Sequence, residues 1–188
     1  LHAAGQHYWQ MLPLGPTSYG DSPYQSFSAF AGNPYYIDLQ LLTEQGLLQP
    51  GEAAAPDWGL RPDWVDYAKL YANRFLVLKK AWSRSRWEQD ADFSDFCRKN
   101  RTWLEDYALF MALKDFFGGR EWQAWPEEIR LRRPAALADW QKRLRQETIF
   151  WKYVQYLFFS QWERLKDYAN QKGIRMIGDI PIYVAADS

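Results

Sequence analysis

The chain has 188 residues, with 23 Lys and Arg against 23 Asp and Glu, so its formal net charge is zero. This balance gives no general electrostatic reason to bind nucleic acid or an anionic membrane. The single cysteine, Cys97, excludes a disulfide scaffold and a multi-cysteine zinc site. Aromatic residues make up 18% of the chain, which suits heavy core packing or a ligand made of flat rings.

Two apolar segments, residues 8–14 and 174–182, predict β-strands. The second is apolar apart from Arg175 and Asp179, as is typical of a parallel strand buried on both faces. Residues 15–33 follow the first strand and predict a long polar and aromatic loop. A short helix is predicted from residue 39 and is stopped by a glycine at position 46.

Residues 66 to 173 predict helices almost throughout. We expect Asp66 to cap the first, and Asp92 or Ser94 to cap the second. Thr102 predicts the start of the third, with Glu105 completing a capping box. Further helices are predicted from residue 134 and over the apolar pattern that ends at residue 173.

These elements predict an α/β fold in which two parallel strands are separated by a helical excursion much longer than an ordinary crossover. The pattern indicates part of a barrel or of an open sheet with a helical insertion. We divide the chain into residues 1–48, with an early strand, a substrate loop and a short helix; residues 49–145, a helical insertion; and residues 146–188, a helix and the following strand.

The loop at residues 15–35 offers hydroxyl, carboxylate, amide and aromatic side chains directly after a strand. Sugars need both kinds of partner, because their C–H faces pack on aromatic rings and their hydroxyls need donors and acceptors. Composition favours equally an Ω-loop that packs its own aromatic residues. Asp179 is a further candidate, because a carboxylate in an apolar strand is costly unless it is paired, and barrel active sites lie at strand ends.

Four stretches carry a resemblance to a known family. They are YWQMLPLGPTSYGDSPYQSFSAFAGNPY at 8–35, WLEDYALFMALK at 103–114, FFSQW at 158–162 and GIRMIGDIPIYVAADS at 173–188. The chain resembles the amylomaltases, the bacterial 4-α-glucanotransferases of glycoside hydrolase family 77. It is similar to the N-terminal portion of that family without the first barrel strand.

The resemblance implies a (β/α)8 TIM barrel with a large helical insertion subdomain. It implies transfer of α-1,4-glucan segments between maltooligosaccharides by retaining double displacement, in which the 4-hydroxyl of another glucan captures the glycosyl-enzyme. No metal or organic cofactor, no nucleic acid and no membrane are implied as partners, and a cytoplasmic location is expected. An α-glucan hydrolase of the same clan and a non-catalytic maltodextrin-binding fragment stay open as alternatives.

The resemblance also assigns site residues. The nucleophile and the acid/base are expected after Ser188, so the isolated chain is predicted to be inactive. Asp179 is expected to support the catalytic pocket. The resemblance implies that the following residues contact the substrate: Tyr19, Asp21, Ser22, Tyr24 and Tyr71.

Overall fold

The computed structural model describes residues 1–18, 20–61, 63–181 and 185–188. In chain order its strands and α-helices are β1 (Tyr8–Gln10), α1 (Leu39–Glu44), α2 (Tyr67–Arg84), α3 (Ala91–Lys99), α4 (Arg101–Phe116), α5 (Glu127–Arg130), α6 (Pro134–Arg143), α7 (Arg145–Gln171) and β2 (Arg175–Ile177). Single 3-10 turns lie at His2–Ala4, Pro34–Tyr36, Trp87–Gln89 and Trp122–Ala124. The described chain is therefore mostly helical, with two strands. None of its helices combines the length and the apolar character needed to cross a lipid bilayer.

Strands β1 and β2 pair in parallel, as the sequence predicts, with Trp9 opposite Met176. Each strand has three residues, so both are shorter than predicted, and the predicted end of the second at Ile182 lies outside the described residues. The expectation that the second strand is buried on both faces is wrong for its described part, because Ile177 is 45% exposed. Helix α7 packs on β2, but no further strand of the described chain extends the pair.

Helix α7 is the centre of the packing. It is 27 residues long, and α2, α3, α4 and α6 all contact it, α4 most extensively. Apolar residues at spacings of three and four produce its inward face. The buried side chains of α7 are Thr148, Phe150, Trp151, Tyr153, Val154, Gln155, Leu157, Phe158 and Ala169.

Much of the aromatic content is used in this core. Phe93 lies edge-on to Tyr153, with ring centroids 5.7 Å apart, and Trp82 lies edge-on to Phe150 at the same separation. Such edge-to-face pairs contribute about 0.5–1.5 kcal/mol each beyond the area they bury. The aromatic excess is therefore in large part a packing feature of the helices.

The helix starts agree with the sequence where a capping side chain decides them. Asp66 caps α2 and accepts a hydrogen bond from the backbone N–H of Lys69, at 3.1 Å. Helix α6 begins at its proline, Pro134, as predicted. The predicted cap of α3 is wrong, because Asp90 instead accepts from the Phe93 N–H at 2.9 Å.

The predicted capping box at Thr102 is also wrong. Helices α3 and α4 are separated by the single residue Asn100, whose side chain donates to the Phe96 carbonyl at the end of α3 and caps no N–H at the start of α4. This junction leaves no room for a separate start at Thr102. The Glu105 carboxylate instead accepts a hydrogen bond from Lys152 on α7, at 2.6 Å.

Gly32 lies against α7 so closely that any side chain there must displace a neighbour. A Cβ at Gly32 would lie 1.9 Å from the Phe158 ring, whereas a Cβ at Gly178 would meet nothing within 4 Å. Gly32→Ala is therefore expected to lower the free energy of unfolding by about 1–3 kcal/mol, because the core is already filled. Urea unfolding compared with the Gly178→Ala control measures this, and equal midpoints for the two variants would contradict it.

Candidate functional site

The loop at residues 15–33 is closed at its neck. The Asn33 N–H donates to the Leu14 carbonyl at 2.8 Å, which brings the two ends of the loop together. Inside the neck, the buried Ser26 hydroxyl donates to the Pro16 carbonyl at 2.8 Å, and Thr17 pairs with Ser26 in an antiparallel bridge. These bonds satisfy buried polar groups and make the loop a defined unit.

The tip of the loop carries three of the predicted site residues. The Ser18 N–H donates to the Gln25 carbonyl at 3.0 Å, so the chain reverses between these residues. Asp21 adopts a left-handed backbone with φ of 56°, which short polar side chains tolerate better than most. The Ser22 hydroxyl accepts from the Tyr24 N–H at 3.3 Å. The turn therefore presents Asp21, Ser22 and Tyr24 together.

Tyr24 reaches across to the end of β2. Its hydroxyl donates to Asp179 Oδ2 at 2.8 Å, although the two residues are 155 positions apart. Asp179 Oδ1 accepts from the Ile180 N–H at 2.8 Å, which orients the carboxylate. The hydrogen bond to Asp179 raises the pKa of Tyr24, since ionisation would remove the donated proton and place two negative charges together. Both side chains stay open to solvent.

A cleft of about 790 Å³ lies beside the loop tip. Asp21 and Gln25 of the loop, Tyr67 and Tyr71 of α2, and Asp187 contribute to its walls. Tyr71 is 67% exposed, so its ring face is available to a ligand. Tyrosine rings beside carboxylate and amide groups match the needs of a sugar, which packs one face on a ring and hydrogen-bonds at its edge.

An ion pair lies in the wall of this cleft. Lys114 of α4, 7% exposed, is paired with Asp187, whose other carboxylate oxygen accepts from the Trp122 N–H at 2.9 Å. The Lys114 ammonium also lies 4.9 Å from the centre of the Phe27 ring, within cation–π range. The pair therefore joins α4, the loop and the residues after β2.

Two other loop aromatics serve packing. Phe27 lies 6.1 Å from Phe110, and Phe30 stacks on Trp103 at 6.3 Å, both partners being on α4. The Ω-loop interpretation thus accounts for Phe27 and Phe30. Among the described aromatic residues of the loop, it leaves the Tyr24 ring, whose hydroxyl contacts Asp179, as the one that faces the strand end.

The structure groups the predicted residues in two sets. Tyr24, Ser22 and Asp179 lie at the strand end, and Asp21 and Tyr71 line the cleft. Tyr19 lies outside the described residues. Among the described residues, no three His, Cys, Asp or Glu side chains come close enough together to hold a metal ion.

The sequence patterns did not identify the Lys114–Asp187 pair in the wall of the cleft. They also missed Arg74, which donates to the Pro34 and Tyr35 carbonyls, and Gln155, which bonds to the backbone of Gly32 at the loop neck. For Gln155 a signal existed. It lies four residues after Trp151 and three before Phe158, so a polar side chain occupies the apolar face of α7. A polar residue at such a position needs a buried partner.

Comparison with known proteins places the whole chain in one group. The model of glycoside hydrolase family 77, described as 4-alpha-glucanotransferase, matches residues 1–188. A 4-alpha-glucanotransferase of Clostridium butyricum is 48% identical over all of this chain and 39% of its own length. One from Thermus thermophilus is 49% identical over all of this chain and 37% of its own length.

A solved structure agrees with these relatives. The amylomaltase of Streptococcus agalactiae in complex with acarbose matches with a TM-score of 0.89 and 44% identity, over 97% of this chain and 37% of that one. The chain thus spans less than two fifths of the length of each of these proteins.

The contact between Tyr24 and Asp179 can be tested by titration. Asp179→Asn is expected to lower the pKa of Tyr24, because the charge and the strong acceptor are both removed. In the unchanged protein the contact stabilises the fold below pH of about 10 and is lost as the pH rises through the raised pKa.

Tyrosinate absorbance measures the effect. Subtracting the titration of the Tyr24→Phe variant, once with Asp179 present and once with Asp179→Asn, isolates the signal of Tyr24. A Tyr24 titration that is the same with and without the Asp179 carboxylate would show that the contact is absent in solution.

Proposed function

Since the chain belongs to the 4-alpha-glucanotransferase family, glycoside hydrolase family 77, we propose that the protein carrying it transfers α-1,4-glucan segments between maltooligosaccharides. The observation that carries the proposal is the 2.8 Å contact between Tyr24 and Asp179. It brings the tip of a polar and aromatic loop to the carboxyl end of a parallel strand, where barrel enzymes bind their substrates.

The proposed substrate site follows from the chemistry of these groups. The exposed ring of Tyr24 offers a face for a glucose unit, and its oxygen retains lone pairs that can accept from a sugar hydroxyl. The Asp179 carboxylate adds an acceptor and a negative charge beside the site. Such a charge favours the oxocarbenium-like transition state of glycosyl transfer, in which positive charge develops at the anomeric carbon.

The cleft extends this surface away from the strand end. Asp21 on the loop and Tyr71 on α2 are proposed to contact further glucose units of a long donor or acceptor chain. The same family assignment underlies our proposals for Tyr19 and Ser22 as substrate contacts. These two proposals rest on the family assignment more than on the geometry. Tyr19 lies outside the described residues, and the Ser22 hydroxyl already accepts from the Tyr24 N–H.

The proposed architecture is a (β/α)8 barrel in which β1 and β2 are neighbouring strands and residues 49–145 form a helical insertion between residues 1–48 and 146–188. The parallel pairing across a long helical excursion supports it.

We further propose that the nucleophile and the acid/base are supplied by sequence after Ser188, that the isolated chain is inactive and that the protein works in the cytoplasm. No resident cofactor is proposed.

Product analysis after incubation of the full-length protein with maltotriose tests the activity. Glucose together with a series of longer maltodextrins is expected, because the glycosyl-enzyme is captured by a glucan hydroxyl instead of water. Glucose and maltose without longer products would indicate a hydrolase. No products at all would leave a binding role, to be checked by calorimetric titration of maltotriose.

Asp179→Asn in the full-length protein tests the role of the carboxylate. Turnover is expected to fall roughly 100-fold, because a charge that favours the transition state is removed while the shape of the side chain is kept. Asp167→Asn, on the exposed side of α7, is the control for loss of one negative charge and is expected to match the unchanged enzyme. Equal turnover in the two variants would reduce Asp179 to a structural contact of Tyr24.

A further inference from the structure

One side chain on α7 pairs with the backbone at the loop neck in the way that a neighbouring β-strand would. Gln155 is fully buried, and its amide pairs with both backbone groups of Gly32. The Gly32 N–H donates to Gln155 Oε1 at 2.8 Å, and Gln155 Nε2 donates to the Gly32 carbonyl at 2.9 Å. One edge of a primary amide presents an N–H donor and a carbonyl acceptor side by side, so it can replace the N–H and C=O of one residue on a neighbouring strand.

Gln161 repeats this arrangement further along α7. The Asp38 N–H donates to Gln161 Oε1 at 2.7 Å, and Gln161 Nε2 donates to the Asp38 carbonyl at 3.1 Å. Both pairs join residues 123 positions apart, so the segment from Gly32 to Asp38 runs alongside α7 in the same direction. Six residues of α-helix advance about 9 Å along the helix axis, so α7 holds the segment at two separate points.

Arg74 of α2 holds the same segment between the two glutamines. Arg74 is 7% exposed, and its guanidinium donates to the carbonyls of Pro34 at 3.1 Å, Tyr35 at 3.0 Å and Ile37. Three charge-assisted hydrogen bonds offset the burial of the cation. Side chains of α2 and α7 therefore satisfy the backbone of this segment.

The two glutamines differ in what they hold. Gly32 directly precedes Asn33, whose N–H closes the loop neck on Leu14, and Gln155 is sealed from solvent. Gln161 is only half-buried and holds Asp38 beyond the loop, at the start of α1. Loss of the Gln155 hydrogen bonds would therefore release the neck of the loop directly, whereas loss of the Gln161 hydrogen bonds would first affect the start of α1.

We propose that Gln155 is a positioning residue that sets the orientation of the loop at residues 15–33, and through it the approach of Tyr24 to Asp179. The inference rests on the proposed function for its effect on sugar binding. Gln155 does not itself line the cleft that Asp21 and Tyr71 share. It acts by holding the neck at Gly32 while the tip meets the substrate.

Replacement of Gln155 by glutamate makes the attachment depend on a proton. The ionised carboxylate still accepts from the Gly32 N–H, but it loses the donor and faces the Gly32 carbonyl with a negative charge. The protonated carboxyl has the shape of the amide and can donate to that carbonyl. Burial raises the pKa of a carboxyl group, so the change of state is expected within the range in which enzymes are assayed.

The experiment measures KM and kcat for maltotriose in the full-length protein from about pH 5 to about pH 9, a range that brackets the pKa of a buried carboxyl. At every pH the variants Gln155→Glu and Gln161→Glu are compared with the unchanged enzyme, which cancels the titration of the catalytic groups. Gln161→Glu is the matched control, because it makes the same chemical change on the same helix.

For Gln155→Glu we expect a KM close to that of the unchanged enzyme at low pH, rising about tenfold as the carboxyl ionises, since a buried carbonyl then loses its donor. The kcat is expected to change much less, because Asp179 follows β2 and keeps its charge in place while only the loop that carries Tyr24 is released. Gln161→Glu is expected to follow the unchanged enzyme throughout. Gln155→Asn, whose shorter amide cannot reach both groups of Gly32, is expected to raise KM at every pH and serves if ionised glutamate unfolds the protein.

A KM that follows the unchanged enzyme at all pH values, with only the unfolding midpoint shifted, would overturn the proposal and leave Gln155 as a core residue. If the unchanged protein does not act on maltotriose, the proposed function fails separately. Amide hydrogen exchange over residues 20–31 then decides the positioning role. Faster exchange in ionised Gln155→Glu than in Gln161→Glu supports it, and equal rates contradict it.

Discussion

The burial of one face of α7 is the constraint on which the rest of the structure depends. Four other helices cover that face, and it carries an amide, Gln155, among large apolar side chains. A buried amide without partners would cost about 1–3 kcal/mol for each group left unpaired. The fold meets this requirement with the backbone of Gly32, so the buried face of α7 also fixes the neck of the loop.

The candidate site forms where the loop meets the β1–β2 pair, and neither of them has much regular structure of its own. The β1–β2 pair has only three residues in each strand, and the loop contains little regular structure. The loop is held from the helical side by Gln155 and Lys114, and its Tyr24 meets Asp179 at the strand end. The geometry of the site is therefore set by the helices at least as much as by the sheet.

Patterns in the sequence predicted several features of the helices that depend on neighbouring residues. The cap at Asp66, the start at Pro134 and the first half of the apolar face of α7 are confirmed, whereas Leu165 and Tyr168 in its second half are exposed. The parallel pairing of the two strands, which joins distant residues, is also confirmed. The capping box at Thr102 is wrong, because Asn100 joins two helices without a gap.

The attachment of the loop could not be predicted in this way. Gln155 finds its partner 123 positions away, and no periodicity connects the two. For the site, the resemblance selected Tyr24 and Asp179 as separate residues, but their direct contact is a property of the tertiary structure.

The bond that closes the loop on Leu14 has a consequence for how such a protein diversifies. Because both ends of residues 15–33 meet at one hydrogen-bonded neck, the tip can gain, lose or exchange residues as a cassette while the helices keep their sequence. The residues that meet a substrate and the residues that build the helical core can then change separately, because the buried amide of Gln155 holds the neck of the loop and not its tip.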